Sequence, residues 1–187
     1  FICAAFIISI IEDILLYHSL VIKKDKNSLM MSKKLHLIFS VVLIFLLNTS
    51  LLKAELKTPN NSILPAEVIK IQLVGLMNND KKFKDSGIEQ TWNFAHPNNK
   101  KNTGPFPKFK MMIKGRSYQM LLNHLSHTIT KTESGDNWAQ FEVIILDKEK
   151  IYHKFNWQVE KYTKEGPLKD CWLTTMVSSP ISLGSSI

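Results

Sequence analysis

Two histidines, His153 and His96, are the residues of this chain best placed for acid–base chemistry. An imidazole changes its charge near neutral pH, so a histidine that faces a pocket can act as a general acid or base. His153 lies on the apolar side of an alternating stretch, and His96 lies within an aromatic, Asn-rich segment at residues 91–106. A histidine packed into a core has the same sequence pattern, so both are weak candidates for catalysis.

The acidic residues supply no obvious partner for either histidine. A catalytic carboxylate needs a buried position that adjusts its pKa. Glu142 and Glu160 fall on predicted strands but among polar neighbours. The other acids considered are all expected in turns, namely Asp80, Asp85, Asp147, Glu149, Glu165 and Asp170. The sequence therefore predicts no acid at a catalytic site.

Motifs for metal binding and for nucleophilic catalysis are weak or missing in the sequence. The pair His124-x-x-His127 has no third ligand nearby, whereas zinc sites use three or four protein ligands. The chain has two cysteines, Cys3 and Cys171, and only the second falls in the predicted folded region. The sequence contains no G-x-S-x-G, H-E-x-x-H, phosphate-loop or paired-Cys motif. We predict no metal and no cofactor.

Four aromatic side chains are candidates for lining a ligand pocket, namely Trp92, Tyr118, Phe155 and Trp157. The first two belong to predicted helices, and the other two belong to the apolar side of a predicted strand. Pockets for small molecules are mostly apolar, with a few polar groups that fix the orientation of the ligand. The same aromatics can instead fill a core, and that alternative stays open.

Positive charge is concentrated in one segment. Residues 81–116 hold nine basic groups against two acids, a net charge of +7, whereas residues 55–187 together carry +5. A one-sided basic field attracts anionic partners such as acidic ligands or lipid headgroups. Lys100 and Lys101 are expected to project from an ordered loop at residues 98–104, close to the start of a helix, so they are the candidate anion site. A solvated Lys-rich face is the alternative, and the absence of an aromatic-interleaved motif predicts no nucleic-acid partner.

The N-terminal part has the pattern of a targeting segment. Residues 31–54 combine Lys33 and Lys34 with an apolar run and with Ala54 at a plausible cleavage point, which predicts a signal peptide or an uncleaved membrane anchor. Residues 1–30 precede this signal and do not begin with Met, so we interpret them as an upstream extension, with a first membrane segment as the alternative. Export to a periplasm, a thylakoid lumen or the extracellular space is expected, and N-terminal anchoring is the alternative.

The remaining pattern places helices before strands. Residues 55–64 are polar and predict a linker, and several short segments with helical apolar spacing follow. Four alternating segments with short connections come next and predict an antiparallel meander. The expected domain, residues 65–178, is α+β, with N-terminal helices packed on a curved four-stranded antiparallel sheet. Residues 179–187 are expected to form a flexible tail.

Two local signals set the helix boundaries around the aromatic segment. The pattern Ser86-x-x-Glu89 is a capping box and predicts the start of a helix. Pro97 disfavours helical geometry at the residue before it, so this helix is expected to end near Ala95. Residues 97–105 are then expected to be an ordered, basic connection to the next helix.

The sequence also resembles a known family. The resemblance is carried by TWNFAHPNNKKNTGPF at residues 91–106, followed by Phe109, Met112, Tyr118, Leu121, Leu122, His124, Trp157 and Trp172. Over residues 65–178 the chain resembles family 4864 among the domains of unknown function. The resemblance implies a nuclear-transport-factor-type α+β cone with a candidate pocket, and it implies no particular reaction. His96 stands where the family more often has a small polar residue.

Three interpretations of function follow. The first is non-catalytic binding of a small apolar or acidic ligand, or of a protein or membrane-surface partner. The second is a pocket enzyme of isomerase or hydrolase type that uses a histidine as acid or base. The third is an interaction module that forms a homodimer through the sheet. An enclosed cavity that holds His153 beside an acid favours the second, whereas a filled core with an exposed basic loop favours the first.

Overall fold

The computed structural model describes residues 55–185 and, before them, Ile14 alone. The predicted upstream extension at residues 1–30 and the predicted signal peptide or anchor at residues 31–54 otherwise lie outside the described residues. Within the described part of the chain, no helix is long and apolar enough to cross a membrane. The predicted α+β class is confirmed, because in this part the helices come first and an open antiparallel sheet follows.

The described region contains four α-helices, and the first of them lies against the sheet. They are α1 (Pro65–Met77), α2 (Ser86–Asn93), α3 (Pro97–Thr103) and α4 (Phe106–Lys114), and a 3₁₀ turn follows at Gln119–Leu121. Pro65 occupies the first turn of α1, where its missing N–H is not needed. Most apolar side chains of α1 are buried, and this helix contacts both α2 and the sheet.

The start of α2 differs from the predicted capping box at residues 86–89. Asp85 precedes the helix in the left-handed conformation, with φ of 65°, and its side chain forms no cap bond. The cap comes instead from Asn79, just beyond α1. Its Oδ1 accepts the N–H of Ile88 at 3.1 Å, and its carbonyl accepts the Ser86 hydroxyl at 2.7 Å. The end of one helix therefore supplies the hydrogen bonds that begin the next.

Residues 97–103 form α3, so the expectation of a non-helical connection is wrong there. His96 is the N-cap residue, with its ring Nδ1 accepting the N–H of Asn98 at 3.1 Å. Its backbone is extended, as expected for a residue before proline. Pro97 then takes the first helical position, which suits proline. The proline that separates α3 from α2 therefore also begins α3.

The sheet consists of β1 (Ser126–Ser134), β2 (Trp138–Leu146), β3 (Ile151–Lys161), β4 (Trp172–Val177) and β5 (Ile181–Ser185). The first four pair in chain order, as the predicted antiparallel meander requires. The register of β1 on β2 shifts between Lys131 and Glu133, which marks a β-bulge. On the inner face, β3 buries alternate residues, among them His153, Phe155 and Trp157.

The fifth strand was not expected from the sequence. Residues 179–187 are predicted as a flexible tail, but β5 pairs with the first part of β3, whereas β4 pairs with its last part. Because β2 occupies the opposite edge of β3, the two short strands share one edge. Ser178 lies at the break between them, where its hydroxyl accepts the N–H of Asn156 at 2.9 Å.

The predicted linker at residues 55–64 is held against the helices. The Gln90 side chain on α2 bonds both backbone groups of Lys57, accepting its N–H and donating to its carbonyl, each at 2.8 Å. Ile63 is buried in the core. This segment is therefore tied to α2 and to the core in the part of the chain described.

Candidate functional site

A cavity of about 90 Å³ lies between the helices and the sheet. Its wall is mainly apolar and includes Leu76, Phe109, Ile113 and Leu121. Tyr118 is half-buried and also lines the cavity. None of the described residues that line this cavity is an acid, a histidine, a lysine or a cysteine. The cavity therefore offers a mainly apolar surface. Its lining holds no side chain that commonly acts as a general acid or base at neutral pH.

The floor of the cavity is a chain of buried hydrogen bonds. The indole Nε1–H of Trp157 donates to Thr174 Oγ1 at 3.2 Å, and this hydroxyl donates to Gln72 Oε1 at 2.6 Å. The Gln72 amide in turn donates to the Thr91 carbonyl at 3.0 Å. These bonds join β3, β4, α1 and α2. No buried side-chain nitrogen or oxygen of the described residues lacks a partner, so each polar atom of the floor makes at least one hydrogen bond.

Sequence reasoning did not identify the polar members of this floor. Gln72 lies between Ile71 and Leu73 on a mainly apolar helix, so a polar residue on the buried side of α1 is the signal that indicates it. Thr91 and Thr174 have no such signal, because threonine is common on helices and strands in any setting.

Two of the four candidate aromatics reach the cavity. Trp157 forms part of the floor, and the hydroxyl of Tyr118 points to the carbonyl of Val177 across 3.5 Å. Phe155 is fully buried in the core and does not line the space. Trp92 also lies outside it, half-buried, with its ring centroid 5.0 Å from that of Phe109. The structure therefore brings Trp157 and Tyr118 together and leaves the other two apart.

Lys100 and Lys101 do not act as a pair. Both lie on α3, where neighbouring residues point about 100° apart. The ammonium group of Lys100 lies 5.2 Å from the ring centroid of Trp92, and burial lowers the pKa of this lysine. Lys101 is exposed. Each side chain therefore meets a different environment.

The start of α4 offers few donors to an anion. Helix N-termini bind anions through backbone N–H groups that have no partner. Pro105 and Pro107 have no N–H, and the amides of Lys108 and Phe109 both donate to the Pro105 carbonyl, at 2.8 and 3.1 Å. The lysines and this helix start therefore do not form a combined anion site.

His153 has an acidic partner that sequence reasoning excluded. Its Nε2 lies 2.7 Å from Oδ2 of Asp147, and both side chains are buried. The other carboxylate oxygen of Asp147 accepts the N–H of Ile151 at 2.8 Å. Burial by itself raises the pKa of Asp147, but the hydrogen bonds from Ile151 and His153 outweigh it, so this pKa lies below its ordinary value.

The prediction that no acid is a partner for His153 is therefore wrong, although Asp147 was correctly expected in a turn. It does follow β2 in a turn, but the hairpin folds that turn back onto the inner face of β3. The short connection between the two strands is the signal that brings residues 147 and 153 together.

The His153–Asp147 pair does not face the cavity, since neither residue lines it. A catalytic triad combines a carboxylate, an imidazole that it orients, and a nucleophilic hydroxyl or thiol. Among the described residues, no hydroxyl or thiol is hydrogen-bonded to His153. The bond instead ties the β2–β3 turn to the inner face of the sheet, which is a structural role.

His96, the other catalytic candidate, also makes contacts that stabilise the fold. Its ring caps α3, and its main-chain N–H donates to the Thr174 carbonyl at 2.8 Å. The ring packs against Tyr162, with centroids 5.4 Å apart. Burial is the main reason that the pKa of His96 lies below its ordinary value. The residue is therefore neutral at pH 7, and its Nδ1 is already occupied as an acceptor.

A second pair of histidines lies at the start of the sheet. Nε2 of His124 lies 2.8 Å from Nδ1 of His127, and Nδ1 of His124 lies 2.7 Å from the Leu121 carbonyl. Burial is the main cause that lowers the pKa of both histidines, and the charge of Lys70 lowers that of His127 further. Within the described residues, no group of three potential ligands could hold a metal ion.

The geometry predicts the tautomers of these histidines. Because a carbonyl only accepts, neutral His124 must carry its proton on Nδ1, and His127 must donate from Nδ1 to the free Nε2 of His124. We expect long-range ¹H–¹⁵N NMR spectra of the full chain at neutral pH to show the Nδ1–H tautomer for both. His96 is the internal control and is expected as the Nε2–H tautomer. Nε2–H signals from His124 would contradict the described hydrogen bond.

Geometry thus defines an α+β domain with a small internal cavity and with histidines in structural positions. In comparisons with known proteins, no protein-family model, curated protein or solved structure matches this chain. The resemblance to family 4864 stays a prediction, and the function has to be argued from the site itself.

Proposed function

We propose that the domain binds a small, mainly apolar molecule in the cavity between its helices and its sheet, without changing it chemically. The observation that carries the proposal is a space of about 90 Å³ with an apolar wall and a polar floor. One water needs about 10–15 Å³, and a cavity of about 150 Å³ holds benzene. The space therefore suits a group of a few carbon atoms, either a whole small ligand or one end of a longer one.

The floor supports recognition of one polar group on such a ligand. Gln72 uses one amide hydrogen on Thr91 and one lone pair on Thr174. An amide has two hydrogens and two lone pairs, so one of each remains for a ligand. A hydroxyl group at the inner end of the ligand matches this arrangement.

We expect a ligand to enter the cavity beside Tyr118. Its hydroxyl and the Val177 carbonyl are separated by 3.5 Å, which is the outer limit of a hydrogen bond. Both residues are half-buried and line the cavity. Because this contact is weak, the Tyr118 side chain is the part of the lining that we expect to move when a ligand enters.

The test uses 1-butanol and 1-hexanol as probes on the purified full chain. We expect either alcohol to shift the indole N–H resonance of Trp157, because this group lies in the floor, and to leave the exposed Trp138 unchanged. Ile113→Phe is expected to weaken binding about tenfold or more, because the larger ring occupies the cavity. The measurement is a titration followed by ¹H–¹⁵N NMR, with native mass spectrometry of the untreated protein to detect a retained ligand.

Met111→Phe is the matched control for this test. Met111 lies on the same helix but is 68% exposed, so the same new side chain points to solvent. We expect this variant to bind the alcohols like the unchanged protein. The proposal fails if saturating alcohol leaves the Trp157 resonance in place, or if the two variants weaken binding equally.

A pocket enzyme is the second candidate, and the His153–Asp147 bond of 2.7 Å favours it. It has less support because the cavity and this pair are separate. Export, membrane-surface binding, the family assignment and a homodimer through the sheet remain proposals from the sequence.

A further inference from the structure

An open groove of about 600 Å³ lies on the outer face of the sheet, away from the helices. Across β2 and β3, Trp138 stands opposite Glu160, and Gln140 stands opposite Gln158. The residue after Trp138, Ala139, is buried, so these four side chains share the solvent side. An indole ring, two amides and a carboxylate are thus grouped in this groove.

The turn before β2 holds the indole of Trp138 in place. Gly135 donates its N–H to the Trp138 carbonyl at 2.9 Å. A Cβ atom on Gly135 would lie 2.5 Å from Nε1 of the indole, so the ring edge occupies the space of a side chain. Gly135 does not have positive φ, so its backbone does not require glycine. The ring itself is the reason for glycine here, and Trp138 is still 37% exposed.

The polar side chains of the groove are partly organised and partly free. Gln158 donates from its amide to Glu160 at 2.8 Å, which fixes both groups. Among the described residues, the Gln140 side chain has no hydrogen-bond partner. The one acid and the one base of the groove, Glu160 and Lys161, balance in charge, and the Lys161 ammonium lies 5.4 Å from the ring centroid of Trp172. The groove is therefore polar without a net charge.

We propose that this groove binds a neutral oligosaccharide, with one pyranose ring on the indole of Trp138. The C–H face of a pyranose is apolar and packs on an aromatic ring, whereas its hydroxyl groups both donate and accept hydrogen bonds. Planar amide and carboxylate groups beside the ring, on Gln140, Gln158 and Glu160, match those hydroxyls. The balanced charge of the groove argues against an anionic polymer or an anionic lipid. This site lies on the opposite face of the sheet from the internal cavity and does not depend on it.

The experiment titrates the full chain with cellohexaose, chitohexaose, maltohexaose and mannohexaose and follows the four indole N–H resonances by NMR. At least one sugar at about 10 mM, a concentration suited to weak binding, is expected to shift the Trp138 resonance and leave that of buried Trp157 unchanged. Trp138→Ala is expected to weaken binding about tenfold or more, because an aromatic anchor is lost. Trp138→Tyr is expected to retain part of the affinity.

Gly135→Ala tests the placement of the ring and leaves every polar group unchanged. Its new Cβ displaces the indole, so we expect a loss of several-fold in affinity. Asn156→Ala, on the same face of β3 but outside the groove, is the matched control and is expected to bind normally.

Three outcomes overturn the proposal. One is that no sugar shifts the Trp138 resonance, and another is that Asn156→Ala weakens binding as much as Trp138→Ala. The third is that the resonance moves only with protein concentration, with sedimentation showing dimers, which assigns the face to a second copy of this chain.

Discussion

Replacing Gly87 with alanine is expected to destabilise the domain by about 3 kcal/mol, near the upper end for overpacking a close contact. Gly87 lies in the first turn of α2, where that helix contacts α1. An added Cβ would overlap the carbonyl oxygen of Gly75 and would lie 2.9 Å from Cα of Asn79. Both obstacles are backbone atoms, so the helices must separate. Urea unfolding of the full chain measures the loss as a lower midpoint at an unchanged slope.

The control for this prediction lies on the other side of the same contact. A Cβ on Gly75 would lie 3.2 Å from Cβ and Cγ of Gln90, a tight contact that a movement of a few tenths of an ångström relieves. Alanine also favours the interior of a helix over glycine by about 1 kcal/mol. Gly75→Ala is therefore expected to stay within about 1 kcal/mol of the unchanged protein. Equal losses from the two substitutions would contradict the described contact between α1 and α2.

Thr174→Val is expected to destabilise the domain by about 2–4 kcal/mol, because one substitution leaves two buried polar groups without partners. The hydroxyl of Thr174 accepts from Trp157 and donates to Gln72. Valine has nearly the same shape, so the loss reports the hydrogen bonds rather than a cavity. The expected readouts are a lower free energy of unfolding and a shifted indole N–H resonance of Trp157.

Thr175→Val is the matched control for the buried hydrogen bonds. The next residue along β4 is half-buried, and its hydroxyl reaches only the Gln158 carbonyl at 3.4 Å. We expect this substitution to change stability by less than about 0.5 kcal/mol, as is usual away from buried networks. A loss from Thr174→Val no larger than that of the control would mean that the floor contributes little to stability.

The class of fold was predictable because it depends on local patterns. Alternation along β2 and β3 and helical spacing along α1 and α4 are properties of neighbouring residues, and each element buries the face that its pattern indicates. Two of the differences from prediction were set by distant contacts. Asn79 caps α2 from outside that helix, and β5 exists because the first part of β3 offers it an edge.

The candidate site was predictable only in its aromatic part. Trp157 and Tyr118 line the cavity because large side chains on inward faces meet wherever a helix layer covers a sheet. The bonds of Gln72 and Thr174 join residues far apart in the sequence, so no local motif predicts them. The partner of His153 was missed for a related reason, since a turn residue was judged exposed before the direction of its hairpin was known.

The bulge in β1 disfavours pairing of a second copy of this domain with that edge of the sheet. β1 forms one edge of the described sheet, and a regular edge strand is a template on which a second chain can extend the sheet toward aggregates. The register breaks between Lys131 and Glu133, so charged residues flank the irregular point. On the opposite edge, two short strands replace one long strand. Neither edge therefore presents a long, flat, uncharged row of backbone groups to a neighbouring molecule.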